Sequence, residues 1–339
     1  LVCRRGVGEF FLKTQLVDDV IEVKKGDAGS YEAAVVQLRA LDINKVFSAH
    51  GSVRTAFFIR QLEATEKVGF MNWWNRFFYD RRVVKDLSLP DAIRQMSLLL
   101  PYDKELQNRM LADPLAASIA NQPDGEDRLP PPPAWASMSL RSFYQAQARE
   151  TGELFMRLGL EPSRASTSVA LFPGSVWATK RWTKEGFVST GQQLRARGVD
   201  VLVMGGPGEE SLCAEVAAAI PGAKDLCGKT KIYESALVLS QVAGVVGNDS
   251  ASLHLAATCE TPSVAVFGPT VLSFGFRPWQ QNAFIAEYKD LPCRPCGKHG
   301  HQVCPIGTHA CMKQISAEAV GRRLEKALAL AAGQTQSSL

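Results

Sequence analysis

In the stretch VVGNDSASLHLAA (245–257), Asp249, Ser250, Ser252 and His254 follow directly on an apolar run. An acid, two hydroxyls and an imidazole so close together can grip an anionic, hydroxyl-rich ligand. A strand ending at Asn248 and a helix opening near Ser250 would leave free backbone N–H groups at the strand's C-terminal end. The positive end of the helix dipole would reinforce them. Simple capping by Asp249 or Ser250, a ~1 kcal/mol effect, accounts for the same residues. A histidine on a helix, such as His254, is also as readily structural.

Two further loops carry matching chemistry. In PGSVWATKRW (173–182) a Gly-Ser turn precedes Lys180 by five residues, so that Ser175 and Lys180 suit a phosphate-bearing ligand, the lysine acting as a point charge. A solvated lysine is the alternative. The order G-x-x-x-x-G-K-[ST] is absent, which leaves ATPase chemistry unsupported. In GGPGEE (205–210), Glu209 could accept hydrogen bonds from ribose hydroxyls; acids at a helix N-terminus give the plainer account. Each signal is weak by itself, but all three fall at expected strand ends.

The elements that must position these loops read as strand–helix alternation, which predicts an α/β fold with parallel sheets covered on both faces. In the first half, strands are expected at 18–23, 44–49 and 66–71, with helices at 31–41 and 52–62. In the second half, 167–175, 199–210, 244–249 and 262–270 each read as a buried strand running into a Gly, Pro or polar loop. Ligands of open α/β sheets bind at such ends. The proline tract 127–135 reads as an extended surface loop or linker. Residues 141–160 read as one amphipathic linking helix, and 316–333 as a closing helix ending near Gly333. At 339 residues two domains are expected, 1–160 and 161–339.

The hydrophobic share of 46% is that of an ordinary folded protein. No run of ~18 apolar residues offers a membrane span. A net charge of +4 permits an anionic partner without implying nucleic acid. Leu1-Val2-Cys3-Arg4-Arg5 lacks the layout of a secretory signal, and the missing initiating Met points to a true N-terminus lying elsewhere. Cys3, Cys213, Cys227 and Cys259 read as buried thiols. Cys293, Cys296, Cys304 and Cys311 crowd together with His299, His301 and His309, a zinc-like signal against which a reduced, metal-free loop stands equally open.

Taken together, FPGS…TKRW, VMGGPGEE, NDSASLHLAA and VAVFGPT resemble the C-terminal half of glycosyltransferase family 9, the ADP-heptose:lipopolysaccharide heptosyltransferases. The Cys-rich segment before the last helix is similar to that of the heptosyltransferase II branch. The resemblance is strong over 166–330 and weaker over 1–110. It implies a GT-B architecture, two Rossmann-like domains facing a cleft, and an inverting transfer without metal or other cofactor. The implied partners are an ADP-heptose donor and a lipopolysaccharide-type glycolipid acceptor, with no nucleic acid. The implied location is cytoplasmic, peripheral at the cytoplasmic face of the inner membrane. By the same resemblance Ser175 and Lys180 contact the diphosphate and Glu209 the ribose. Asp249, Ser250, Ala251 and Ser252 line phosphate and sugar, with His254 behind them.

Ala251 stands where the family usually has glycine, adding a methyl where backbone approaches ligand. The family's general base is an Asp in a Gly-Asp loop after the first strand. Gly8-Glu9 is the nearest mimic, a loop carboxylate, while the strand-like 18–23 falls where the family's later strands do. The N-terminal domain is therefore expected to lack its first strand and helix, with the base upstream of Leu1. In NWWNRFFYDRRVVK (72–85), Trp73, Trp74, Phe77 and Phe78 stand beside Arg76, Arg81, Arg82 and Lys85. They suit a phosphorylated glycolipid head group or the bilayer interface, or a packed aromatic helix with a basic edge. Two other functions stay open: a catalytically impaired nucleotide-sugar-binding protein, and a GT-B nucleotide-sugar epimerase.

Overall fold

The computed structural model describes residues 1–112 and 132–336. The proline tract is thus described only from Pro132; its residues 127–131 lie outside the described part. The chain divides into two units, Leu1–Ala120 and Asn121–Leu339.

The first unit opens with strand β1 (Val2–Arg4), a helix Gly8–Lys13 and strand β2 (Ile21–Val23), the two strands paired in parallel. Expectation placed no element ahead of residue 18, because a three-residue strand shows no alternation and glycines read as loop. Glu9 consequently belongs to the first turn of a helix and not to a loop. The N–H groups of Gly6 and Gly8 donate to Glu22 Oε1 at 3.0 and 2.8 Å, so a carboxylate already occupies that helix mouth. A second parallel sheet holds β3 (Ile43–Ser48), β4 (Ala64–Phe70) and β5 (Arg81–Val83). The expected helices are found at Ala28–Arg39 and Val53–Arg60, capped by Asp27 and Ser52. Their apolar faces meet Val23, Leu62 and Tyr79 in one core.

The second unit is a six-stranded parallel sheet in the order β11-β10-β9-β6-β7-β8. Its strands are β6 (Ser168–Phe172), β7 (Asp200–Val203), β8 (Lys224–Asp225), β9 (Gly244–Asn248), β10 (Ser263–Phe267) and β11 (Ala283–Glu287). Every residue of β6, β9 and β10 is buried, as near-continuous apolar strands covered on both faces should be. The helices Lys184–Ala196 and Ala317–Gln336 close one face over Val169, Val203, Val246 and Val264. The last helix runs through Gly333 instead of ending there, since mid-helix glycine costs only ~1 kcal/mol.

From β6 the sheet grows one way through β7 and β8, and the other way through β9, β10 and β11. The order therefore reverses between β6 and β9, and in open α/β sheets that switch point is where ligands bind. The segment expected to link the domains belongs wholly to this second unit. It is two helices, Arg141–Gln145 and Ala148–Leu158. Leu140 N–H donates to Thr258 O at 2.7 Å, and Tyr233 OH donates to Glu150 at 2.9 Å. These contacts move the boundary ahead of the expected residue 160.

Candidate functional site

The strands flanking the switch point end at Phe172 and Asn248, and their loops carry Ser175 and Asp249. Asn248, fully buried, ties the two together. Its Nδ2 donates to the carbonyls of Pro173 and Gly174 at 2.9 and 3.1 Å, and more weakly to that of Phe172 at 3.4 Å. Its Oδ1 accepts the Trp182 N–H at 2.8 Å. One side chain thus fixes both ends of the 173–182 loop against β9. Asn248 was not among the residues expected at the site; a polar residue closing a valine-rich strand was the available signal.

Asp249 is 6% exposed and does not cap the helix that follows. Its Oδ2 accepts from Lys180 Nζ at 2.5 Å and from Thr270 Oγ1 at 2.7 Å. Thr270, at the end of the β10 loop, is a second residue that sequence alone did not single out. Lys180 is not the solvated lysine its loop position allowed: its side chain is 12% exposed and salt-bridged. Ser250 holds the N-cap position of the helix Ala251–Thr258, yet its hydroxyl lies 2.9 Å from Ser252 Oγ and makes no cap bond. The plain capping account fails for both residues. Two hydroxyls and the helix's first N–H groups remain at the mouth.

Glu209 joins the same group from β7. Its carboxylate accepts the Gly206 N–H at 2.9 Å and lies over Gly174, where a methyl would fall 2.0 Å from Glu209 Cδ. A side chain at 174 would have to push that carboxylate aside. Ser175 is buried, its carbonyl accepting from Arg181 Nε at 2.8 Å. Ser175, Lys180, Glu209, Asp249, Ser250, Ala251 and Ser252 are therefore gathered at the C-terminal ends of β6, β7 and β9. His254 is the exception. It is exposed on the helix, and Leu253 takes the buried position at that turn. A cavity of about 340 Å³ near Ser168 and Asp200 lies at the opposite, N-terminal ends of β6 and β7 and belongs to no part of this group.

The Cys/His-rich segment clamps the Lys180 loop. Thr179 N–H donates to His301 O at 3.0 Å, and His301 N–H donates to Thr179 Oγ1 at 2.7 Å. Gln302 Nε2 donates to Val176 O at 3.0 Å, and His309 Nε2 meets Thr179 O at 2.8 Å. Gly300, at φ +77°, approaches so closely that a methyl would come within 2.9 Å of Thr179 Oγ1. His299 stacks on Trp177. Among the described residues no three Cys, His, Asp or Glu side chains gather as a metal-binding group, and all eight cysteines are free thiols.

Three of the clustered thiols sit in surroundings that set their acidity differently. The backbone N–H of His309, followed by those of Ile306, Gly307 and Thr308, holds Cys304 below its ordinary pKa. Burial pushes Cys311 up to about 11 and raises Cys296. The thiolate is the nucleophile, so at mildly alkaline pH iodoacetamide is expected to label Cys304 well ahead of Cys296 and Cys311. Peptide mass spectrometry over a time course reads the order, and Cys311 labelling first would refute it.

The sequence profile of glycosyltransferase family 9 (heptosyltransferase) matches residues 33–306. The chain belongs to this family. Among curated relatives, lipooligosaccharide heptosyltransferase 2 of Campylobacter jejuni is 32% identical over 158 residues, 45% of this chain and 48% of that protein. Lipopolysaccharide heptosyltransferase 3 of Escherichia coli is 30% identical over 133 residues, 37% of this chain and 39% of that protein. The chain thus spans about half the length, or less, of the curated relatives it matches. The fold is that of the E. coli ADP-heptose lipopolysaccharide heptosyltransferase II structure, with TM-score 0.70 and 19% identity over 97% of this chain and 88% of that one. The E. coli heptosyltransferase WaaC with ADP superposes with TM-score 0.64 and 18% identity over 96% of this chain and 89% of that one. As a family 9 member with this GT-B fold, the chain has its gathered loops at the switch point of the more regular sheet.

Proposed function

We propose that this family 9 protein moves a heptose from ADP-heptose to the inner core of lipopolysaccharide or a related glycolipid, with inversion and without a metal. It would act at the cytoplasmic face of the inner membrane. What supports this most is the state of Asp249: its carboxylate is drawn from the helix mouth to Lys180 and Thr270, while the two serine hydroxyls stay there. A diphosphate seated on Ser250, Ser252 and the first-turn N–H groups would meet fixed donors. Lys180, whose ammonium has three N–H groups, would supply positive charge beside them. Such pre-set donors lower the barrier to ADP departure as negative charge grows on its oxygens. Asp249 Oδ1 makes no hydrogen bond among the described residues and could accept from a sugar hydroxyl. Glu209 would take the ribose. Glu9, half-exposed on its helix and 4.0 Å from Lys13, is not assigned as the base.

The test pairs binding with transfer. Calorimetry should show ADP binding, and ADP-heptose should label a heptose-bearing core acceptor. Gly174→Ala forces the Glu209 carboxylate aside and should weaken ADP binding about as much as Glu209→Ala, roughly tenfold for one lost charge-assisted bond. Both variants should keep their melting temperature, since the displaced group is a flexible side-chain end. Absence of ADP binding by the unmodified protein, or transfer from a UDP-sugar in preference to ADP-heptose, would overturn the proposal.

A further inference from the structure

The turn between β4 and β5 spends folding energy to expose large aromatic residues. Asn75 at its centre is 1% exposed, donating from Nδ2 to Phe70 O at 2.8 Å and accepting the Asn72 N–H at 3.0 Å. On either side of it Trp73 is 89% and Phe77 73% exposed. The turn is therefore held by a buried side chain and by Trp74 and Phe78 packed on the core, while the Trp73 and Phe77 rings are left exposed, the reverse of what burial alone favours. The adjoining helix Val53–Arg60 continues the face with exposed Val53 and Phe57, and Phe57 packs edge-on to Phe78 with ring centres 5.0 Å apart. Arg76 lies over the Phe77 ring at 4.5 Å and Arg60 over Phe78 at 5.8 Å. Residues 53–60 and 71–79 hold Arg54, Arg60 and Arg76 and no Asp or Glu.

We propose that this face, Trp73 and Phe77 foremost, seats the protein on a bilayer that carries anionic lipid. The proposal deepens the glycolipid-transferase function above and rests on it for the choice of a membrane as partner. Three arginines, with no Asp or Glu in either segment, fix the sign of the partner surface, and exposed Trp beside Arg is the composition that settles at the lipid head-group level. Guanidinium groups held over ring faces keep their charge while the rings enter the interface. No described helix is long and apolar enough to cross a membrane, so this face would give a peripheral attachment.

Vesicle sedimentation tests it without donor or acceptor, and so separately from transfer. The full chain is mixed with vesicles of phosphatidylcholine alone and of phosphatidylcholine with phosphatidylglycerol. Preferential binding to the anionic vesicles is expected, weakening with salt. The double variant Trp73→Ala, Phe77→Ala should partition on the order of tenfold less, and Arg76→Gln with Arg54→Gln should lose most of the anionic preference. Hydrogen exchange of β3 and β4, measured in parallel, confirms that the first unit is folded in each variant. A second readout uses vesicles brominated near the head group, which should quench tryptophan fluorescence in the unmodified protein and much less in Trp73→Phe. No binding to anionic vesicles would overturn the proposal. So would equal partitioning of the folded double variant, or quenching that Trp73→Phe leaves unchanged.

Discussion

Replacing Lys180 by alanine is expected to cost about 2–4 kcal/mol of stability and, separately, ~1.5–3 kcal/mol of ADP binding. The first loss follows from the partner left behind. Asp249, 6% exposed, would keep only the Thr270 hydroxyl against its charge, and an unpaired buried carboxylate is far costlier than a missing surface lysine. The second follows from removing a cation beside a diphosphate. Combining Lys180→Met with Asp249→Asn separates the two. Asparagine keeps an acceptor for Thr270 without the charge, so most of the stability should return while ADP affinity stays low. Urea unfolding midpoints and calorimetry, run where each variant is folded, give both quantities. An unchanged midpoint for Lys180→Ala would mean the pair does not hold in solution; unchanged ADP affinity would remove Lys180 from the donor site.

This result would also mark where sequence stops being informative. The loops after β6, β7 and β9 were legible because each follows a buried apolar run and begins with Gly, Pro or a polar residue, a local pattern. What Lys180 does there was not, since its partner lies 69 residues away and meets it only through the strand order. Thr179 and His301 are 122 residues apart, and the cysteine spacing that suggested zinc gave no hint of the clamp they form. The short strands β1, β5 and β8 were missed because two or three residues show no period, and the helix Gly8–Lys13 because the glycines at its start read as loop. The stretch 72–85 suited a packed aromatic helix by spacing. Asn75 instead spends its side chain on the backbone of Asn72 and Phe70, a competition asparagine often wins over helix. The split near residue 120 escaped notice because an amphipathic pattern at 141–160 says that a face is buried and not which unit buries it.

Asn248→Ala should be the most damaging single change at the site, although Asn248 touches no proposed ligand group. The substitution orphans the buried Trp182 N–H and the carbonyls of Pro173 and Gly174. Three unsatisfied groups worth ~1–3 kcal/mol each put the loss above about 3 kcal/mol, or at least roughly 6–12 °C in melting temperature for a unit of this size. Asn248→Asp discriminates between lost volume and lost hydrogen bonding. Its carboxylate can still accept from Trp182, but its second oxygen would face those carbonyls with no proton to give, so it should be no better than alanine. Both variants free the two ends of the loop that carries Ser175 and Lys180. ADP affinity should therefore fall by at least as much as in Lys180→Ala, even well below the new melting point. Thermal unfolding with calorimetry at low temperature checks this. An Asn248→Asp protein as stable as the parent would show that Asn248 does not bind those carbonyls, and the loop would need another anchor.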